Sequence, residues 1–188
     1  MDNIKQNLII EILQNTKRDG ISNLIEWLCE KGFFTEIASS RGHSSYIGGL
    51  ADHSYNVYKL LLSMNDEYKL GCPKESIAIA ALLHDVCKIG GYVRTQADDG
   101  WTYNREAEKG HAKLSICRIK KFIKLTELEE LMIKFHMGVY GLDEFEPGKG
   151  EYKLRNGGMA NTWYHNPIVK IMYFCDELAT IKEGLLKQ

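Results

Sequence analysis

The sequence predicts an all-α fold. Apolar residues recur at three- and four-residue spacing in successive segments, glycine or proline punctuates the gaps, and only residues 92 to 104 carry strand and turn signals. The opening helix is marked by Ile4, Leu8, Ile9, Ile12 and Leu13. Ser22 is placed to cap a second helix, with Leu24, Ile25, Trp27 and Leu28, which Gly32 ends. The polar, glycine-rich "IASSRGHSSYIGG" is expected to be a loop. A long helix follows from about Leu50 to Asn65, with Val57, Leu60, Leu61 and Met64 inward. "GCP", Gly71 to Pro73, breaks the chain.

Helix is expected again from Lys74 through "ESIAIAALLHDVCK", with Gly90 and Gly91 stopping it. "DDG" before Trp101 suggests a short ribbon over 92 to 104. Two more helices are expected, from about Glu108 to Lys124 and from Glu127 to His136. In "RIKKFIK", Ile119, Phe122 and Ile123 point inward and the cations outward. Met137 to Tyr164 is expected to be a long loop. In the closing helix Asn166 is the cap, Pro167 fits the first turn and Gly184 marks the end.

The chain of 188 residues suits one domain spanning 1–188, long enough to bury a core. Its formal net charge of -1 does not imply a strongly basic nucleic-acid surface. The five cysteines are scattered without a CxxC pair, which points to reduced thiols and a cytoplasmic location. "MDNIKQNLII" lacks the features of a signal peptide, and the apolar run Ile77 to Leu83 is too short to span a bilayer. No membrane role and no protein partner is indicated.

"LLHDVCKIG" places His84, Asp85 and Lys88 at the end of an apolar helix, where an uncompensated charge is costly. Of six histidines, His43 and His165 fall in expected loops. His53, His84, His111 and His136 lie on or at the ends of four different helices, and Asp176 sits in the apolar "IMYFCDELA". Imidazoles and carboxylates gathered from converging helices suit a transition metal, which would neutralise Asp85 and Asp176. Each residue alone has a plainer explanation, as a satisfied core histidine or a hydrogen-bonded carboxylate, and spacing does not establish that they meet.

Four segments in order carry a family resemblance: "GGLADHSYNVYKLL", "AALLHDVCKIG", "KGHAKLS" and "KIMYFCDELAT". From about residue 22 to the end, the chain resembles the HD-domain superfamily of metal-dependent phosphohydrolases. The resemblance implies a helical bundle with long loops around a metal site holding one or two divalent ions (Mn, Fe, Ni, Co or Mg). His53, His84, Asp85 and Asp176 would hold the first ion. His111 and His136 would complete a second, with Asp85 bridging. Many relatives carry His-His-Gly where this chain has His136-Met137-Gly138, and His136 is the matched ligand.

The implied reaction is hydrolysis of a nucleotide or related phosphate ester, a short oligonucleotide included, by metal-activated water. Asp85 or Asp176 would orient the water and Lys88 would face the phosphate. Arg41, Arg105 and Lys109 are candidate substrate-binding residues. The alternatives are an HD-fold di-iron oxygenase and a metal-binding regulatory module without turnover.

Overall fold

The computed structural model describes residues 3–40, 42–95, 100–107, 111–138 and 158–185. Among them it has eight α-helices and one small hairpin, so the helical expectation holds. The helices are α1 (Asn3–Asn15), α2 (Ile21–Glu30), α3 (Gly49–Glu67), α4 (Lys74–Leu83), α5 (His111–Ile119), α6 (Glu127–Phe135), α7 (Gly158–His165) and α8 (Pro167–Leu185). Strands β1 (Tyr92–Arg94) and β2 (Trp101–Tyr103) pair antiparallel, Tyr92 opposite Tyr103 and Arg94 opposite Trp101. No described helix is long and apolar enough to cross a membrane.

The architecture follows from α4. Every residue from Ser76 to Leu83 is buried. A helix apolar on all sides must be surrounded by others. Helices α3, α4, α6 and α8 pack in a closed ring, each against the next, and α1 and α2 lie to one side of it. Their inward residues form one contiguous core, from Ile9 and Leu13 on α1 through Val57 and Leu61 on α3 to Met172 and Ala179 on α8.

Several expected boundaries shift, each for a local reason. The N-cap of α2 is Gly20, not Ser22. The apolar helix stops at Leu83 rather than continuing to Lys88, and Val86–Lys88 forms a single 3-10 turn. The Arg118 guanidinium draws the carbonyls of Val86, Cys87 and Ile89 to itself at 2.8, 3.2 and 3.1 Å. Carbonyls gathered on one side donor cannot all point along a helix axis.

Helix α5 ends at Ile119, where Phe122 and Ile123 both donate backbone N–H groups to the Ile119 carbonyl. Residues 108–110, expected to begin it, lie outside the described residues. The expected loop from Met137 to Tyr164 is corrected at its end, because Gly158–His165 is helical. There Trp163 stacks on Tyr173 of α8 with centroids 5.5 Å apart, so apolar packing compensates the cost of ordering a short helix. The rest of that loop, 139–157, lies outside the described residues. Pro167 opens α8 as expected, while Gly184 lies inside the helix instead of ending it.

The approach to α3 depends on paired glycines. Gly48 has φ +85°, a conformation that side chains with a Cβ rarely adopt. A Cβ on Gly49 would sit 1.9 Å from the Ser44 carbonyl oxygen. The loop therefore lies directly against the first turn of α3, one turn before His53.

Candidate metal centre

The closed ring of helices brings its polar residues to one interior point. His53 lies on α3, His84 is the C-cap of α4, Asp85 follows it, His136 is the C-cap of α6 and Asp176 is on α8. Helix α5 packs on α6 and on the 3-10 turn, and brings His111, its first residue. The six residues expected as metal ligands therefore do meet, and five of them are buried; His111 is only partly covered.

His53 Nε2 is 2.8 Å from Asp176 Oδ1, and His84 Nε2 is 3.6 Å from the same oxygen. His84 Nε2 is 3.3 Å from Asp85 Oδ2. His111 Nε2 is 3.1 Å, and His136 Nε2 3.6 Å, from Asp85 Oδ1. The two imidazoles face each other, Nε2 to Nε2, at 3.3 Å. Asp85 thus lies between two halves of the cluster, with His53, His84 and Asp176 on one side and His111 and His136 on the other.

In all four imidazoles the other nitrogen is already engaged. His84 Nδ1 donates to the Ala81 carbonyl at 2.9 Å, and His136 Nδ1 to the Ile133 carbonyl at 2.6 Å. His53 Nδ1 donates to Glu183 Oε2 at 3.2 Å. His111 Nδ1 lies 3.1 Å from Cys87 Sγ. Each ring is oriented with Nε2 toward the centre, the arrangement that metal-binding histidines adopt when an outer partner fixes the ring.

Electrostatics shows what the cluster must balance. Burial opposes charge on His84, but Asp85 and Asp176 outweigh it, and its pKa is pushed up to about 10. His111 rises to about 10 in the same way, against burial and through Asp85 and Cys87. His53 is raised through Asp176 and Glu183 although burial works against it. His136 goes the other way, lowered by burial and by the neighbouring charge of His84. Burial would raise Asp85 and Asp176, yet both are held well below the carboxylate range, Asp85 first by Lys88 and Asp176 first by His53. Protons on imidazoles are thus one way to offset the buried carboxylates, and a cation is the other.

The residues fit a metal. His84 Nε2 and Asp85 Oδ1 are buried without a hydrogen-bond partner in good geometry, although nitrogen and oxygen atoms face both at 3.1–3.6 Å. Such orphaned atoms are costly unless something else satisfies them. His53, His84 and Asp176 form one group with ligand atoms close enough to share an ion, and His84, Asp85 and His136 form another. Four imidazoles and two carboxylates suit a first-row transition dication.

Three participants were not foreseen. Glu183 accepts from Ser44 Oγ at 2.6 Å and Asn56 Nδ2 at 2.8 Å besides His53, and its pKa falls to about 2 despite burial. It lies seven residues after Asp176, two turns along the same face of α8, which was the available signal. Cys87 reads from the sequence only as a reduced thiol. His43, expected in a loop, packs its ring 4.7 Å from that of His53, and burial with the charges of His53 and Lys88 lowers it to about 4.

Lys88 reaches back to Asp85 Oδ2 at 2.6 Å, with its side chain 16% exposed, and Asp85 keeps it protonated. Arg105 stands exposed in the turn after β2, outside the cluster. Arg41 and Lys109 lie outside the described residues. Asp52, beside His53, turns away and pairs with Lys5 at 2.6 Å and with the Tyr46 hydroxyl at 2.8 Å.

No curated protein and no solved structure matches the chain. The family model for the HD domain matches residues 50–161, more than half of the sequence, and spans His53, the His84-Asp85 pair, His111 and His136. Asp176 lies beyond that span, and α8 delivers it to the same cluster. By this match, carried on a helical fold with buried His/Asp groups that suit a metal, the chain belongs to the HD domain family.

Proposed function

We propose that this protein is a metal-dependent phosphohydrolase acting on a nucleotide or a short oligonucleotide. The observation that carries the reading is Lys88, a protonated amine 2.6 Å from Asp85 at the edge of the candidate centre. Two dications together with Lys88 would outweigh the three buried carboxylates Asp85, Asp176 and Glu183 and leave excess positive charge. A phosphate group is the ligand whose charge offsets that excess.

A bound dication would supply Lewis acidity and lower the pKa of a water toward ~7. His53, His84, Asp85 and Asp176 would hold one ion, and His111 and His136 would complete a second position with Asp85 between. Asp85 also accepts from Lys88 and so aims its ammonium at the edge of the cluster, where charge develops on phosphoryl oxygens. His84 is fully buried and Asp85 nearly so, which keeps bulk water from competing for their atoms.

The hairpin favours a substrate with a planar ring. In the observed register Tyr92, Arg94, Trp101 and Tyr103 share one face. Tyr92 lies within electrostatic reach of Lys88 and Asp85, and Arg94 stacks over Trp101 at 5.2 Å. The next position on the same strand face is about 7 Å away.

The test is a panel of phosphate esters offered to the protein with each dication in turn. Hydrolysis that disappears in His84→Ala and Asp85→Ala is expected. Two irons with oxygen consumption and no hydrolysis would instead indicate an oxygenase, and tight metal without any turnover a regulatory module.

A further inference from the structure

Each centre-facing imidazole needs an outer acceptor. His53, His84 and His136 use oxygen, from Glu183, Ala81 and Ile133. His111 alone is set against sulfur, with Cys87 Sγ 3.1 Å from its Nδ1. The backbone that carries this sulfur is held on both sides. The Cys87 N–H donates to Ser115 Oγ at 3.1 Å, its carbonyl accepts from Arg118 at 3.2 Å, and the residue is 8% exposed. Asp85, Cys87 and His111 also form a group of their own, with ligand atoms all within 4.8 Å of one another.

We propose that Cys87 is the positioning residue of the second cation site: its sulfur accepts the Nδ1 proton of His111 and holds Nε2 toward Asp85 and His136. The inference rests on the metal reading above. Two consequences follow from the chemistry. Sulfur is a weaker acceptor than a carboxylate or carbonyl oxygen, so His111 is the least firmly held of the four rings. The half of the cluster built by His111 and His136 therefore binds its ion more weakly than the half built by His53, His84 and Asp176. Occupancy of the second position also depends on an intact thiol, whereas occupancy of the first does not.

The experiment is a cobalt(II) titration of the metal-free full chain, followed by optical absorption, for wild type, Cys87→Ala and Cys87→Ser. Wild type is expected to take up two equivalents, the second more weakly. Cys87→Ala should weaken the second equivalent about 10- to 100-fold and leave the first unchanged. Cys87→Ser, whose hydroxyl can accept the same proton, should fall between them, and it carries the test alone if the alanine variant does not fold. In zinc-loaded wild type, nitrogen-15 NMR should show a protected His111 Nδ1–H that is lost in Cys87→Ala.

Equal second affinities in all three proteins would overturn the role of Cys87 and leave the metal site standing. A sulfur-to-cobalt charge-transfer band in wild type would also overturn it, because Cys87 would then be a ligand. Wild type that takes up no cobalt would overturn the metal reading and this inference together.

Discussion

His53 and Glu183 meet at 3.2 Å between α3 and α8, and this contact ties the candidate metal centre to the last turn of α8. Glu183 is itself held by Ser44 and Asn56, so the ring of His53 is fixed from behind by three residues of different elements. A histidine held in this way has its Nε2 already directed and loses little freedom when it binds an ion.

Glu183→Gln is therefore expected to lower the affinity of the first metal position about 10- to 100-fold while the helical content stays unchanged. Competition with a chelator, read alongside circular dichroism, checks this. Unchanged affinity would mean that the Asp176 contact alone orients His53.

The glycine at 49 predicts a structural effect felt at the site. In Gly49→Ala the new methyl would overlap the Ser44 carbonyl, 1.9 Å away, and the backbone must move. Ser44 would then lose its place against Glu183. A destabilisation of about 1–3 kcal/mol is expected, together with weaker metal binding. Thermal melts with and without metal measure both.

Glu129 predicts the opposite pattern, a loss of stability that spares the site. It is fully buried, accepts from Ser76 Oγ at 2.7 Å, pairs with Arg18, and closes the capping box of α6 with Thr126. Glu129→Ala leaves Arg18 without its buried partner and uncaps the helix. Arg18 is partly exposed and keeps the Lys124 carbonyl, so a loss of about 1–3 kcal/mol is expected. Denaturant unfolding should show that loss, and metal affinity of the folded fraction should not change.

The hairpin gives a prediction about substrate. Trp101→Ala and Tyr103→Ala should each raise KM for a nucleoside monophosphate, because stacking of one base contributes about 1–3 kcal/mol. For ribose 5-phosphate, which has no base to stack, the same variants should leave KM unchanged. Equal losses on both substrates would remove the hairpin from base recognition.

Cysteine chemistry supplies a pH test away from the centre. Burial, and then Glu129 and Glu75, push the Cys72 thiol up to about 11. A folded value above the ordinary thiol value near 9 means a contribution to stability that is complete below pH 9 and lost as pH rises through 11. At pH 8, iodoacetamide should label the exposed Cys29 and Cys117 and spare Cys72. Mass spectrometry across pH 9 to 11 should show Cys72 labelling rise as native stability falls. Rapid labelling of native Cys72 at pH 8 would contradict the prediction.

By itself the sequence determined seven of the eight described helices and the residue types of a candidate metal site. Helical periodicity is local, so Ile9 and Leu13, Val57 and Leu61, and Ile77 to Leu83 were legible as inward positions, and the charges in "HDVCK" marked where an apolar helix needed a partner. Tertiary structure alone decided which polar residues meet. His53 and Glu183 are 130 positions apart, and only the packing of α3 on α8 makes them neighbours. The stop at Leu83 likewise required Arg118, 32 residues beyond the Val86 carbonyl it draws away. A buried carboxylate on α8 and a solvated one have the same letters around them. Burial and partner are properties of the folded bundle, and these give Glu183, Cys87 and His43 their places beside the centre.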